Sequence, residues 1–202
     1  MNADIDHWEL ENAVYEEGFA AVCGVDEAGR GPLAGPVCAA AVILPRGLTI
    51  EGLNDSKKLT PRRREALFDV IESSAEAYGI AFASVEEIEA LNILGATYLA
   101  MNRAIAALGR DIDLALIDGN RSDGSTYPCR TVVKGDARCA SIAAASVLAK
   151  VTRDRYMCEL DGEYPGYGFA RHMGYGTAAH YAAIRELGPC PAHRPSFLRK
   201  MH

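Results

Sequence analysis

Four acidic residues stand where a folded chain would gather them. Asp26 and Glu27 are neighbours at the end of an apolar run over residues 22–25. Asp118 closes a second apolar run over 114–117, and Asp136 ends the short stretch 131–136. Each run reads as a strand, and strand ends of an α/β sheet converge on the edge where ligands bind. Four carboxylates brought together there repel one another unless cations neutralise them. Two divalent ions about 3.5–4 Å apart meet that need, and their chemistry is in-line phosphoryl displacement. Mg²⁺ suits such a site, being a hard ion held by a few carboxylates with water and substrate oxygens, and Mn²⁺ is its expected substitute. Asp26 and Glu27 pose a geometric difficulty, because neighbours on a strand face opposite ways. For both to reach one centre the strand must end or bulge there, as Ala28-Gly29 would allow.

Directly after these acids comes Gly29-Arg30-Gly31-Pro32-Leu33-Ala34-Gly35-Pro36, a turn of glycine and proline around one arginine. Bare backbone amides and a guanidinium can together approach a phosphate. The turn is too short for a crossover helix, so strands over 20–27 and 36–44 are expected to pair antiparallel. A helix with Trp8 and Tyr15 as anchors is expected before them, over 6–18. Thr60 and Pro61 form a cap and a first helical position, and that helix is expected to run to about Tyr78, stopped by Gly79, with a strand over 80–84. Ser84 to Glu87 is a capping box opening a helix that continues through Leu108, with a break at Asn92 to Gly95. A helix over 139–157 is rich in alanine and serine, and it carries Ile142, Ser146, Lys150 and Asp154 on one face. Aromatic residues and glycines follow, and Thr177 caps a helix over 178–187. The alternation predicts an α/β fold, a mixed sheet with helices on both faces and a small helical C-terminal lobe. Residues 1–160 are expected to form the catalytic core and 161–202 a substrate-contacting extension of the same domain.

Bulk composition narrows the classes. The 202 residues are 49% hydrophobic and 24% charged, enough for a core in an ordinary globule. No apolar run reaches the roughly 18 residues of a membrane span, and the acidic N-terminus is the reverse of a signal peptide, so a cytoplasmic protein is expected. The six cysteines show no zinc-type spacing and read as reduced thiols. A net charge of −6 argues against bulk attraction to nucleic acid. Local basic strips remain: Lys57, Lys58 and Arg62 to Arg64; Arg153 and Arg155; Arg194, Arg199 and Lys200. Taken alone, each of these reads as a solvated face.

The run from Gly24 through Asp26-Glu27-Ala28-Gly29-Arg30-Gly31 to Val37 resembles the signature of bacterial ribonuclease HII. So do Leu53-Asn54-Asp55-Ser56-Lys57-Lys58-Leu59-Thr60, Lys134-Gly135-Asp136-Ala137, Ser141 to Ser146 with Ala149 to Asp154, and Gly174-Tyr175-Gly176-Thr177. The resemblance implies a ribonuclease H-like fold and a two-metal endonuclease acting on RNA–DNA hybrids and on duplex DNA with one embedded ribonucleotide. Cleavage would fall on the 5′ side of the ribonucleotide and leave 3′-hydroxyl and 5′-phosphate ends. By motif, Asp26, Glu27, Asp118 and Asp136 would be the catalytic acids holding Mg²⁺ or Mn²⁺. Gly29, Arg30 and Gly31 with Tyr175 would recognise the ribose 2′-OH and the junction with DNA. Lys57, Lys58, Lys150 and Arg153 are candidate phosphate contacts, and Ser141 and Ser146 are either ligands or packing residues. The family commonly has Lys after His before this glycine, where this chain has His172-Met173. His172, His180 and His193 read as capping or surface residues. A monomer without membrane partners is expected. The alternatives are the sister ribonuclease HIII, a hybrid-binding protein without catalysis, and a metal-free ribonuclease using paired histidines.

Overall fold

The two apolar runs that flank the glycine turn pair antiparallel, as expected. In the computed structural model, which describes residues 7–53, 56 and 59–199, β1 (Val22–Ala28) sets Gly24 opposite Val42 and Ala28 opposite Cys38 of β2 (Val37–Ile43). β3 (Ala77–Ala83) continues the antiparallel ladder beyond β2. β4 (Leu114–Asp118) lies parallel on the other side of β1, and β5 (Cys129–Val132) parallel to β4. The order in the sheet is β3-β2-β1-β4-β5.

Each face of the sheet is covered. Cys23, Val25, Ala115 and Ile117 pack with α3 (Val85–Ala106). Cys38, Ala40 and Val42 pack on the opposite side with α2 (Pro61–Ser74) and α4 (Ala140–Glu163). The small residues of α4 let it lie very close: a Cβ on Gly24 would run into the backbone of Ser141 and Ile142. Helix α4 starts without a side-chain cap from its own Cys139. The buried carboxylate of Glu11, on α1 (Glu9–Glu16), takes that place, accepting from the amides of Ser141 at 2.9 Å and Ala140 at 3.3 Å and from the Ser141 hydroxyl at 2.7 Å. An acid at a helix N-terminus gains from unpaired amides and the helix dipole. Burial nevertheless outweighs those bonds and raises the Glu11 carboxyl above its ordinary value.

Three elements differ from expectation. Helix α2 ends at Ser74, and Gly79 lies inside β3. A side chain at Gly79 would strike the Ala104 carbonyl of α3, so this glycine serves close packing and does not stop a helix. Strand β5 ends at Val132, and Asp136 sits in a 3-10 turn (Gly135–Ala137) entered through Lys134 at φ 56°. Helix α4 runs on to Glu163. The break in α3 is where the sequence places it: Asn92 has φ 60°, and its side-chain oxygen accepts the amide of Leu94 at 2.9 Å, recapping the helix.

Beyond α4, α5 (Phe169–His172), α6 (Ala178–Leu187) and α7 (Pro195–Leu198) assemble around Phe169 and Ile184. That cluster includes Leu33 and Ala34 of the glycine turn, so the C-terminal segment is packed onto the turn itself. Among the described residues, no helix is long and apolar enough to cross a membrane.

Candidate active site

Strand register builds the acidic edge. Val25 of β1 pairs with Ile117 of β4, which places Asp26 and Asp118 side by side one step further along. Both belong to the α4 face, since the alternate residues Val25 and Ile117 face α3. Asp118 is held by the Gly135 amide, 2.7 Å from its Oδ1, so the turn that carries Asp136 is tied to the end of β4. Asp26 is buried, accepts the Glu27 amide at 2.7 Å and hydrogen-bonds the Ser146 hydroxyl of α4. Ser146 in turn lies 2.7 Å from the Ser56 hydroxyl. Burial first, and then the charges of Glu27 and Asp118, push the Asp26 carboxyl well above the usual carboxylate range.

Of the two expected devices, an end or a bulge, no bulge occurs: β1 pairs with β2 without a break through Glu27 and ends one residue later, at Ala28. Glu27 does point to the face opposite Asp26. What brings it near is the early end of β4 at Asp118, beyond which β1 has no β4 partner. Glu27 and Asp118 therefore line one small cleft of about 60 Å³, together with Arg30, Tyr98 and Arg121. Arg30 bonds Glu27 at 3.3 Å. With Glu27 turned to Arg30 and Asp118 to Gly135, no three His, Cys, Asp or Glu side chains among the described residues stand ready to hold one metal ion. The donor set itself is all carboxylate oxygen, which fits a hard divalent cation. The repulsion at Asp26 is what such a cation would relieve.

The glycine turn is held quite differently. Arg153 of α4 and Arg194 are both fully buried. Arg194 donates to the carbonyls of Gly29 and Gly35 at 2.7 Å, Pro32 at 2.9 Å and Arg30 at 3.0 Å. Arg153 donates to Pro36 and Met173 at 3.0 Å and to Ala34 at 3.2 Å. A side chain on Gly29, at φ +98°, would collide with Arg153, so this position must be glycine. At Gly31 a Cβ would meet only the Tyr175 ring, at 3.7 Å. Tyr175 is 45% exposed, and the carbonyl of its neighbour Gly174 accepts the Leu33 amide at 2.8 Å, which fixes the segment beside the turn.

The remaining predicted residues fall in several places. Arg153 and Arg194 are buried under carbonyls, so neither is a phosphate contact nor part of a solvated strip. Their role left no signal in the sequence, because the carbonyls they bind carry no side-chain identity. The Lys150 ammonium is taken by Asp154 at 2.7 Å, the structural pairing that four-residue spacing allows. Ser141 is buried against Glu11, and Ser146 supports Asp26. Lys57 and Lys58 lie outside the described residues. Met173, at φ 52°, belongs to the C-terminal cluster and offers its carbonyl to Arg153. His180 and His193 are buried inside that cluster, against the expectation of surface residues.

A profile of the ribonuclease HII family matches residues 23–200. A ribonuclease HII of Dechloromonas aromatica is 60% identical over 176 residues, 87% of this chain and 90% of that protein. The crystal structure of ribonuclease H2 from Pyrococcus horikoshii superposes with a TM-score of 0.73 at 26% identity, covering 90% of this chain and 97% of that one. A ribonuclease HIII solved in complex with Mn²⁺ shares the fold, with a TM-score of 0.65 at 20% identity over 93% of this chain and 69% of that one.

Proposed function

The chain belongs to the ribonuclease HII family, a ribonuclease H that cleaves RNA in RNA–DNA hybrids, and from that premise we propose how its own residues divide the work. Asp26, Glu27, Asp118 and Asp136 bind two divalent ions, Mg²⁺ or Mn²⁺, and the substrates include duplex DNA with a single embedded ribonucleotide. The observation that carries this reading is the side-by-side setting of Asp26 and Asp118, with the Asp136 turn bonded to Asp118. Held by these four carboxylates, such ions would supply Lewis acidity for activating a water and charge to offset that on the phosphate.

The protein's own groups do the placing. Ser146 and the Glu27 amide hold Asp26, and the Gly135 amide holds Asp118. Water adds to phosphorus as the bond to the 3′-oxygen on the 5′ side of the ribonucleotide breaks. That leaves a 3′-hydroxyl on one product and a 5′-phosphate on the other. Specificity comes from the turn: its carbonyls point inward to Arg153 and Arg194, while Gly31 leaves open space in front of Tyr175. Only the 2′-OH and helix shape separate RNA from DNA. A sugar edge fits against a bare glycine backbone, and the Tyr175 ring stacks on the next sugar, sensing whether a hydroxyl is present. Residues 161–202 act as the substrate-contacting extension of the same domain, since side chains from Tyr164 to Leu198 are packed on this turn.

The test is a labelled DNA duplex with one ribonucleotide, with Mg²⁺ and with EDTA. Cleavage on the 5′ side that disappears with EDTA is expected, and activity surviving chelation would refute the two-ion reading and favour histidine chemistry.

A further inference from the structure

Two histidines with no part in the chemistry above are among the most deeply buried side chains of the C-terminal cluster. His180 Nδ1 lies 2.9 Å from the Tyr175 carbonyl, and its Nε2 lies 3.1 Å from Nε2 of His193. His193 Nδ1 lies 2.9 Å from the Cys190 amide. The proton positions follow from the partners. A carbonyl only accepts, so His180 carries its proton on Nδ1. At the other end the Cys190 amide donates to His193 Nδ1, so His193 carries its proton on Nε2. His193 therefore donates to His180 Nε2, which must accept. The chain closes only with both rings neutral, in agreement with burial lowering both imidazoles, His193 to about 4.

We propose that His180 and His193 are positioning residues: a neutral imidazole chain from the Cys190 amide to the Tyr175 carbonyl that fixes where the Tyr175 ring stands against Gly31, and so sets discrimination for a single ribonucleotide. The proposal rests on Tyr175 acting as the junction sensor. Its physical ground is that the Tyr175 backbone is held at both ends. The amide donates to the His172 carbonyl at 2.9 Å, and the carbonyl accepts from the Thr177 amide at 2.8 Å as well as from His180. The ring itself is half exposed, and the anchored backbone fixes the point from which it projects. The rings around the chain keep the two histidines aligned: His172 stacks on His180 with centroids 4.3 Å apart, and Tyr167 meets His193 edge-on at 4.9 Å. Misplacing a positioning group by about 1 Å is enough to cost a large part of a rate.

Two measurements test it. Nitrogen-15 correlation spectra of the histidine rings at neutral pH should show His180 protonated on Nδ1 and His193 on Nε2; the opposite tautomers would overturn the chain without any variant being made. Initial rates are then compared on a duplex with one ribonucleotide and on a long hybrid, for His180→Phe, His180→Asn and Tyr175→Ala. Loss of the His180 donor should lower the ratio of single-ribonucleotide to hybrid cleavage about five- to tenfold, the equivalent of one hydrogen bond. His180→Asn, which keeps a donor near the Nδ1 position, should restore it. A parental ratio in His180→Phe with a lowered ratio in Tyr175→Ala overturns the imidazole chain alone. An unchanged ratio in Tyr175→Ala overturns the junction-sensor reading and this proposal with it.

Discussion

The acidic edge and the glycine turn are consecutive in the chain and are stabilised in opposite ways. At the edge, like charges crowd a buried carboxylate, and few donors offset them. In the turn, two buried guanidinium groups satisfy one carbonyl after another. The edge is a place that waits for positive charge, while the turn is finished before any substrate arrives. On the proposed reading, catalysis would draw on the crowding of charge at the edge and specificity on a backbone locked from behind.

The largest effect should come from neutralising the edge. Asp26→Asn or Asp118→Asn should lower cleavage about a thousandfold or more, in keeping with loss of an electrostatic element of the site. The same variants should melt no lower than the parent in metal-free buffer, because a repelling charge has gone. Near-parental turnover, measured at saturating Mg²⁺, would remove these acids from the site.

The turn should respond the other way, and its two glycines should part company. Gly29→Ala places a methyl into Arg153 at a left-handed backbone position, and a loss of about 2–4 kcal/mol in denaturant unfolding is expected. Gly31→Ala has room, so its stability should stay within about 0.5 kcal/mol of the parent. Its cleavage should nevertheless fall about tenfold, because the added methyl occupies the space in front of Tyr175. Equal stability losses at both positions would contradict the inward clamp.

A smaller effect concerns α4, the helix against which the acidic edge rests. The folded protein holds Glu11 protonated above its ordinary value of 4.5. Within the window just above that value the folded state binds more protons than the unfolded one, so this contribution to stability is full at lower pH and is lost as pH rises. Urea titrations should show that slope in the parent and a flatter one in Glu11→Gln. The smallest effect is expected at Lys150. Its ammonium is tied to Asp154 in a partly exposed pair, so Lys150→Ala should shift stability by no more than about 0.5 kcal/mol. Cleavage should change by about twofold at most, far less than at either aspartate.

Much of this molecule is readable without coordinates wherever a local rule applies. The apolar runs around the glycine turn, the capping box at Ser84 and Glu87, and the break at Asn92 all depend on residues within a few positions of one another. The ends of apolar runs likewise singled out the carboxylates as candidates, whereas Tyr175 entered only through the family resemblance. Misreadings arose where distance in the chain was large. Gly79 looks like a helix stop, and only the approach of Ala104 shows it to be a packing site. Asp26 and Glu27 call for an end or a bulge of their strand, and only the length of β4 shows that a missing neighbour on one side serves. Arg194 belongs by composition to a basic tail, yet it ends beneath a turn some 160 residues earlier. Side-chain type and short-range pattern specify which groups can do chemistry. Which backbone atoms a buried guanidinium or imidazole meets is decided only when distant segments pack, because carbonyls and amides are the same at every residue.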